Sequence, residues 1–384
     1  MRVLFFAQAV TLAHLVRPLA LIEHLPTGWE VHLACPDNRY RHFLAAFPHP
    51  VHKIDAPSPA QFRRLVDWGR QIFTEERLSR DIKTDLDLIE RLQPDVVVGD
   101  FRLSLSISAR VAGVRYVNVC NAYWRADFRP IPPMPVLKPL RWMPHSWLGP
   151  LFKRVIRGVF ARHAHPFNRL QRRYGLGEPQ PDVRYFYTNG EAVLYGDLPE
   201  PFSRLDIAEN HRFLGPVLWS PPVPPPFWWG DLPRGKPVVY VVAGSSGDRR
   251  VFGRILARLA RLPVTVIAAI GGQRTGVNGN CHYAPWLDGL QACRRADLMI
   301  GNGGVMGCHQ ALVAGIPVVG VCSNMDQFLN MHAVEAGGWG WGLSANALGG
   351  IDWMNFLAAR PAALPLPRER CSLNVTELVA ALSP

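Results

Sequence analysis

Short apolar runs punctuate the chain, and each gives way to a longer stretch with helical spacing. The runs are Val3 to Ala7, Val31 to Cys35, Asp95 to Asp100, Val114 to Cys120 and, in the second half, Pro237 to Val242, Val264 to Ile270, Asp297 to Ile300 and Ile316 to Val321. Between them, apolar positions recur every three or four residues through Leu25, over Arg63 to Arg91, Ser104 to Ala112, Arg249 to Arg261 and Val305 to Ala314, and again from about Asp326. Runs without alternation are strands buried on both faces, and their interleaving with helices predicts an α/β protein built on parallel sheets. Tyr185 to Tyr187 and Ala192 to Tyr195 read as short strands closing the first half. Residues 221–226, rich in proline, read as a stiff extended linker. The spacing thus predicts a first domain over 1–216, a linker over 217–236, a second domain over 237–370 and a last segment, 371–384, with a helix over Val375 to Leu382.

Two strand–turn–helix corners stand out in the second half. Gly301-Asn302-Gly303-Gly304 stops one strand before a helix, and Ala243-Gly244-Ser245-Ser246-Gly247 stops another. Such a corner aims bare backbone N–H groups at the start of a helix, which favours anions and above all phosphate. Neither corner is the G-x-G-x-x-G fingerprint, so a nicotinamide cofactor is not indicated. Gly315 ends the helix after the first corner and Pro317 forbids its continuation.

Composition narrows the class. At 384 residues and 48% hydrophobic the chain has material for two cores and is not disordered. No apolar run approaches the ~20 residues of a membrane span, and the opening MRVLFFAQAV reads as a strand rather than a signal peptide. Seven scattered cysteines fit reduced thiols in a cytoplasmic protein. The net charge of +12 is concentrated: between Phe128 and Gly177 there are ten Lys or Arg and no Asp or Glu. In that window Leu151, Phe152, Val155, Ile156, Val159 and Phe160 form one helical stripe with Lys153, Arg154, Arg157 and Arg162 mostly opposite, after an apolar loop over Arg129 to Pro150. The pattern fits interfacial membrane contact of the 129–173 segment, or an ordinary helix packed on its own domain. No nucleic-acid motif accompanies the charge.

Candidate chemistry sits where strands end. His14 follows the first strand, at the edge where open α/β sheets place ligands; it is a ligand-site histidine, able to act as a base there, or a satisfied surface or core one. Asp100 ends the Asp95 to Asp100 run, as the partner of such a base or as the cap of the following helix. Tyr123 and Trp124 leave the Val114 to Cys120 strand, as an acceptor pocket or as core. No carboxylate pair of metal-binding type is visible.

The order Asn302, Gly303, Gly304, Gln310, Gly315, Pro317, Asp326, Gln327 resembles the donor-binding segment of the B-fold glycosyltransferases, the UDP-glycosyltransferase and macrolide glycosyltransferase family. That pattern runs His-Gly-Gly, a glutamate eight residues on, Gly, x-Pro and Asp-Gln; here Asn302 replaces its His, Gln310 its Glu, and Gly307 stands where Ser or Thr is usual. The family's Gly-His-x-x-Pro is matched with His14 and Pro18, Ala13 replacing the glycine. Residues 213–217 resemble the segment that crosses between domains. The resemblance implies two Rossmann-like domains facing across a cleft, and inverting, metal-independent transfer from a UDP- or dTDP-sugar to a hydroxyl. It implies no cofactor beyond that nucleotide-sugar co-substrate. In this frame His14 is the base and Asp100 supports it. Gly244, Ser245, Ser246, Gly303, Gly304 and Val305 hold the diphosphate with Asn302. Gln310 meets the ribose, Asp326 and Gln327 the sugar, and either Tyr283 or Trp286 stacks on the base, while the last helix returns to the first domain. The acceptor is a small molecule or, for a peripheral membrane enzyme, a lipid or isoprenoid. The departures at 302, 307 and 310 leave open a third reading, an inactive relative serving as a partner or regulator.

Overall fold

A computed structural model of the chain describes residues 1–140, 145–272, 274–359, 361 and 363–383. Part of the apolar loop expected over Arg129 to Pro150, residues 141–144, lies outside the described residues. The chain forms two compact units, Met1–Ile131 with Leu137–Val217 and Leu373–Pro384, and Pro132–Val136 with Leu218–Ser372.

The first unit is built on strands β1 (Arg2–Ala7), β2 (Glu30–Cys35), β3 (Val51–Lys53), β4 (Val96–Asp100), β5 (Arg115–Cys120), β6 (Ala192–Tyr195) and β7 (His211–Phe213). They lie side by side in the order β3-β2-β1-β4-β5-β6-β7, every pair parallel. The order turns back between β1 and β4, which makes the ends of those two strands the switch point where such sheets bind ligands. Helices α1 (Ala13–Ile22), α2 (Pro59–Asp67), α3 (Glu75–Leu92), α4 (Leu105–Ala112), α5 (His145–Arg173) and α6 (Arg184–Tyr187) connect the strands. Leu4, Phe6, Val97, Leu105 and Tyr116 share one core cluster. Leu78 and Ile82 of α3 meet Phe167 and Phe186 in another.

Two expectations fail here for local reasons. The pattern over Arg63 to Arg91 is two helices: the chain turns at Gly69, whose φ is +60°, and restarts where the Thr74 hydroxyl caps α3 by accepting the N–H of Arg77. Tyr185 to Tyr187 is the short helix α6 rather than a strand, because the Asp182 carboxylate accepts the N–H of Arg184 and starts a helical turn.

The second unit carries β8 (Val238–Val242), α7 (Arg249–Leu259), β9 (Thr265–Ala269), β10 (Gly276–Asn278), β11 (Cys281–Ala284), α8 (Gly289–Arg295), β12 (Leu298–Gly301), α9 (Val305–Val313), β13 (Val318–Cys322), α10 (Met325–Ala336), β14 (Gly340–Ser344) and α11 (Trp353–Ala358). Its strands run β10-β11-β9-β8-β12-β13-β14, parallel except for the β10 edge. The switch point lies between β8 and β12, whose exits are the two glycine corners. The chain joins this unit at Leu218, well before Lys236. Trp228 explains the difference: it is buried and donates its indole N–H to the Tyr283 carbonyl at 3.0 Å. The last helix, α12 (Val375–Leu382), belongs to the first unit, where Arg115 donates to the Ala381 carbonyl and the Asn374 N–H to that of Leu214.

Candidate active site

In the first unit His14 stands in the opening turn of α1 and Asp100 is the last residue of β4. Nδ1 of His14 lies 2.8 Å from Oδ1 of Asp100. Asp100 is 1% exposed. Burial pushes its carboxyl up, but the charge and hydrogen bonds of Arg17, with a further bond from His14, outweigh this and hold it at about 2. An ionised carboxylate only accepts, so Nδ1 carries the hydrogen, and in the neutral ring the lone pair is that of Nε2. That is the tautomer a base needs. The imidazole also stacks on Phe101, ring centres 4.6 Å apart. Phe101 has a φ of +59°, a strained conformation for a bulky residue. The next residue secures it: the buried Arg102 guanidinium bonds Asp85, Gln8 and the Asp55 carbonyl, and pairs with Asp81. Asp100 does not cap α4; its oxygens are spent on Arg17 and His14.

Arg17 was not among the expected site residues. Its sequence signal is a cation inside the otherwise apolar run Leu15 to Ile22, which must meet an anion if that run is buried. Three residues separate His14 from Pro18, one more than the Gly-His-x-x-Pro spacing allows, and Arg17 is the last of them. The match at Pro18 is therefore out of step by one position.

The aromatic pair divides. Tyr123 is 1% exposed, which turns it from an open acceptor wall into interior packing. Trp124 is half-buried and stacks on Tyr187 at 4.6 Å.

In the second unit the β8 and β12 corners come together. Nδ2 of Asn302 donates to Oγ of Ser246 at 2.9 Å, and Nε2 of Gln327 reaches the same oxygen at 3.2 Å. Gly244 has a φ of +59° and lies against the Asn302 amide, with Ser245 half-buried beside it. Gly303 has a φ of +75°, and a Cβ there would meet Cys322 Sγ at 2.8 Å and Met331 Cγ at 2.9 Å, so only glycine fits the turn.

Several of the expected donor-site groups have partners within the protein. The Gly304 N–H is not part of an open amide nest: Oδ1 of Asn302 accepts it at 3.2 Å. An asparagine bonds the backbone two residues on in this way, closing an Asx turn. The N–H groups left for an anion are those of the first turn of α9, from Val305. Gln310, expected at the ribose, is 8% exposed and donates to the Trp219 carbonyl at 2.7 Å. Gln327 lies beneath the site: it is 1% exposed and forms the capping box of α10 with Asn324, its Oε1 also accepting from the Ser323 N–H at 2.8 Å. Asp326 is exposed in the first turn of α10 and is not its cap; Asn324 is. Tyr283 packs against the core of this unit, whereas the Trp286 indole is 38% exposed.

No protein-family model matches the chain. It is 42% identical over 345 residues to a PGL/p-HBAD biosynthesis glycosyltransferase of Mycobacterium tuberculosis, a match covering 88% of this chain and 80% of that protein. It is equally similar to a PGL/p-HBAD biosynthesis rhamnosyltransferase of Mycobacterium bovis, over 76% of its length. A protein of the same species named an inactive PGL/p-HBAD biosynthesis glycosyltransferase is 40% identical over 264 residues, 68% of this chain and 71% of that one. Among solved structures, spinosyn rhamnosyltransferase SpnG complexed with thymidine diphosphate superposes with a TM-score of 0.61 at 19% identity, covering all of this chain and 96% of that one. Spinosyn forosaminyltransferase SpnP gives 0.63 at 17%, covering all of this chain and 94% of that one. These two share the glycosyltransferase B fold with it.

Proposed function

The chain belongs to the PGL/p-HBAD biosynthesis glycosyltransferases, and from that premise we propose that it is a cytoplasmic, inverting, metal-independent enzyme with His14 as its base. The acceptor is a hydroxyl of the PGL/p-HBAD type and the donor a dTDP-sugar, with rhamnose the first sugar to try, since one relative is a rhamnosyltransferase and one fold neighbour holds thymidine diphosphate. The carrying observation is the 2.8 Å contact between His14 Nδ1 and an ionised Asp100. The acceptor proton goes to Nε2 as its oxygen attacks the anomeric carbon, and the bond from that carbon to the diphosphate breaks on the opposite face. The departing dTDP gathers negative charge, which the first-turn N–H groups of α9 and the hydroxyls of Ser245 and Ser246 are suited to stabilise. Asp326 is the group left to meet the sugar hydroxyls, and Trp286 offers its indole to the base.

The test is transfer from dTDP-rhamnose, followed by dTDP release. His14→Gln is expected to lower kcat at least ~100-fold while leaving dTDP binding, measured by thermal stabilisation, unchanged. Full turnover in that variant would discard the assigned base. A chain with no transfer and no dTDP binding would fall to the reading of an inactive partner, the state of one named relative.

A peripheral membrane enzyme is a second reading, favoured by the face that α5 leaves open. The expected stripe splits: Ile156 is buried with Phe152 and Phe160 partly covered, but Leu151, Val155 and Val159 remain 53%, 44% and 37% exposed among Lys153, Arg154 and Arg157. Among the described residues no helix is long and apolar enough to cross a membrane. Sedimentation with phosphatidylglycerol vesicles, lost when those three apolar residues become serine, supports this reading. Indifference to the vesicles removes it.

A further inference from the structure

Arg17 contributes more to the site than a fold requires. Its Nε donates to Oδ2 of Asp100 at 2.6 Å and its Nη2 to Oδ1 at 2.8 Å, the two-pronged fit of guanidinium to carboxylate. Oδ1 is the same atom that receives His14 Nδ1. The third nitrogen, Nη1, donates to Oδ1 of Asn121 at 2.9 Å. Asn121 is held in turn by Asp197, whose other oxygen takes the Ala122 N–H at 2.7 Å. All of these groups but His14 are buried, so their charges are little screened by water.

We propose that Arg17 is a positioning residue that keeps His14 unprotonated, by neutralising the carboxylate that orients it. This rests on the reading of His14 as the base. An imidazole beside a lone buried carboxylate is drawn toward a charged pair and holds its proton more firmly, which lowers the share of it free to act as a base at neutral pH. With the guanidinium locked onto the same carboxylate, the Asp100–Arg17 pair has no net charge. The hydrogen bond that fixes the tautomer stays, and most of the pull on a second proton goes. The surroundings add little charge of their own. Phe101 covers one face of the imidazole. The Cys120 thiol and Tyr123 phenol face Arg17, and the Tyr116 phenol faces Asp100. Burial pushes Cys120 and Tyr116 up, which keeps both neutral. Asp197 is an anion on the far side of Asn121, bonded away from the imidazole.

The test is an NMR titration of the full chain labelled with 15N-histidine, with His14→Gln used to assign the His14 ring. In Arg17→Gln the His14 pKa is expected to rise by about one unit or more, the size of shift a close opposite charge produces. Arg17→Lys, which keeps the charge but not the fork, is expected to give a smaller rise in the same direction. A folded Arg17→Gln in which the His14 pKa stays put or falls overturns the proposal. Should Arg17→Gln fail to fold, the lysine variant decides alone, a rise supporting and no rise overturning. The titration involves no sugar transfer, so it stands apart from the fate of the base: retained turnover in His14→Gln would remove the base while leaving the measured coupling between Arg17 and His14 intact.

Discussion

Gln310 of α9 donates its side-chain N–H to the carbonyl of Trp219, ninety-one positions earlier in the chain, at 2.7 Å. Its side-chain oxygen, Oε1, lies where Gly289 leaves room, since a Cβ at 289 would come within 2.2 Å of it. A glutamate at 310 has no hydrogen to offer that carbonyl at neutral pH. Gln310→Glu therefore buries an anion against an acceptor, at a cost of roughly 2–4 kcal/mol. Urea unfolding should show that loss, and titration calorimetry should show no gain in dTDP affinity. A tighter dTDP complex would return residue 310 to the ribose.

Of Tyr283 in β11 and Trp286 just after it, Trp286 is the more exposed. Base stacking on such a ring contributes about 1–3 kcal/mol. Trp286→Ala should weaken dTDP binding about tenfold or more, with the melting temperature of the free protein little changed. Tyr283→Ala should do the reverse, since that ring packs in the core.

Gly303 admits no side chain. Alanine there would hold a left-handed backbone and press on Cys322 and Met331. The expected cost is roughly 2–4 kcal/mol, read from the urea midpoint. A neutral result would mean that the β12 corner relaxes.

The apolar runs place His14, Asp100 and the two glycine corners at strand ends, because buried parallel strands announce themselves as unbroken apolar runs. The partners were harder to read. Gln310 stands within α9, eight residues after Asn302 of the corner before it, and nothing in its sequence neighbourhood points to Trp219. Asp81 and Asp85 look like solvent positions between the apolar residues of α3, yet both are buried against Arg102, a residue from the next corner of the chain. Hydrogen-bond partners distant in sequence leave no periodicity, so their roles emerged only with the fold.

Acid should unfold the protein in two stages. Burial depresses His211 to about 4, so its share of stability is intact above about pH 6.5 and drains away as pH falls toward 4. Asp100, held at about 2, contributes fully above about pH 4 and loses its share between there and pH 2. His211→Gln should remove the first stage from the pH dependence of urea unfolding and leave the second. Unchanged curves would mean that His211 takes up its proton without strain on the fold.

The segment Leu373–Pro384 completes the unit that begins at Met1. Leu378 and Leu382 of α12 are fully interior, and the Asn374 N–H seals the backbone at Leu214. On the ribosome, the unit that carries the imidazole must wait for residues 373–384, whereas the other unit, through Ser372, is already translated. Birth order is thus inverted: the strands of the first unit emerge ahead of the second unit yet close after it, and damage within 373–384 would be felt around Leu214.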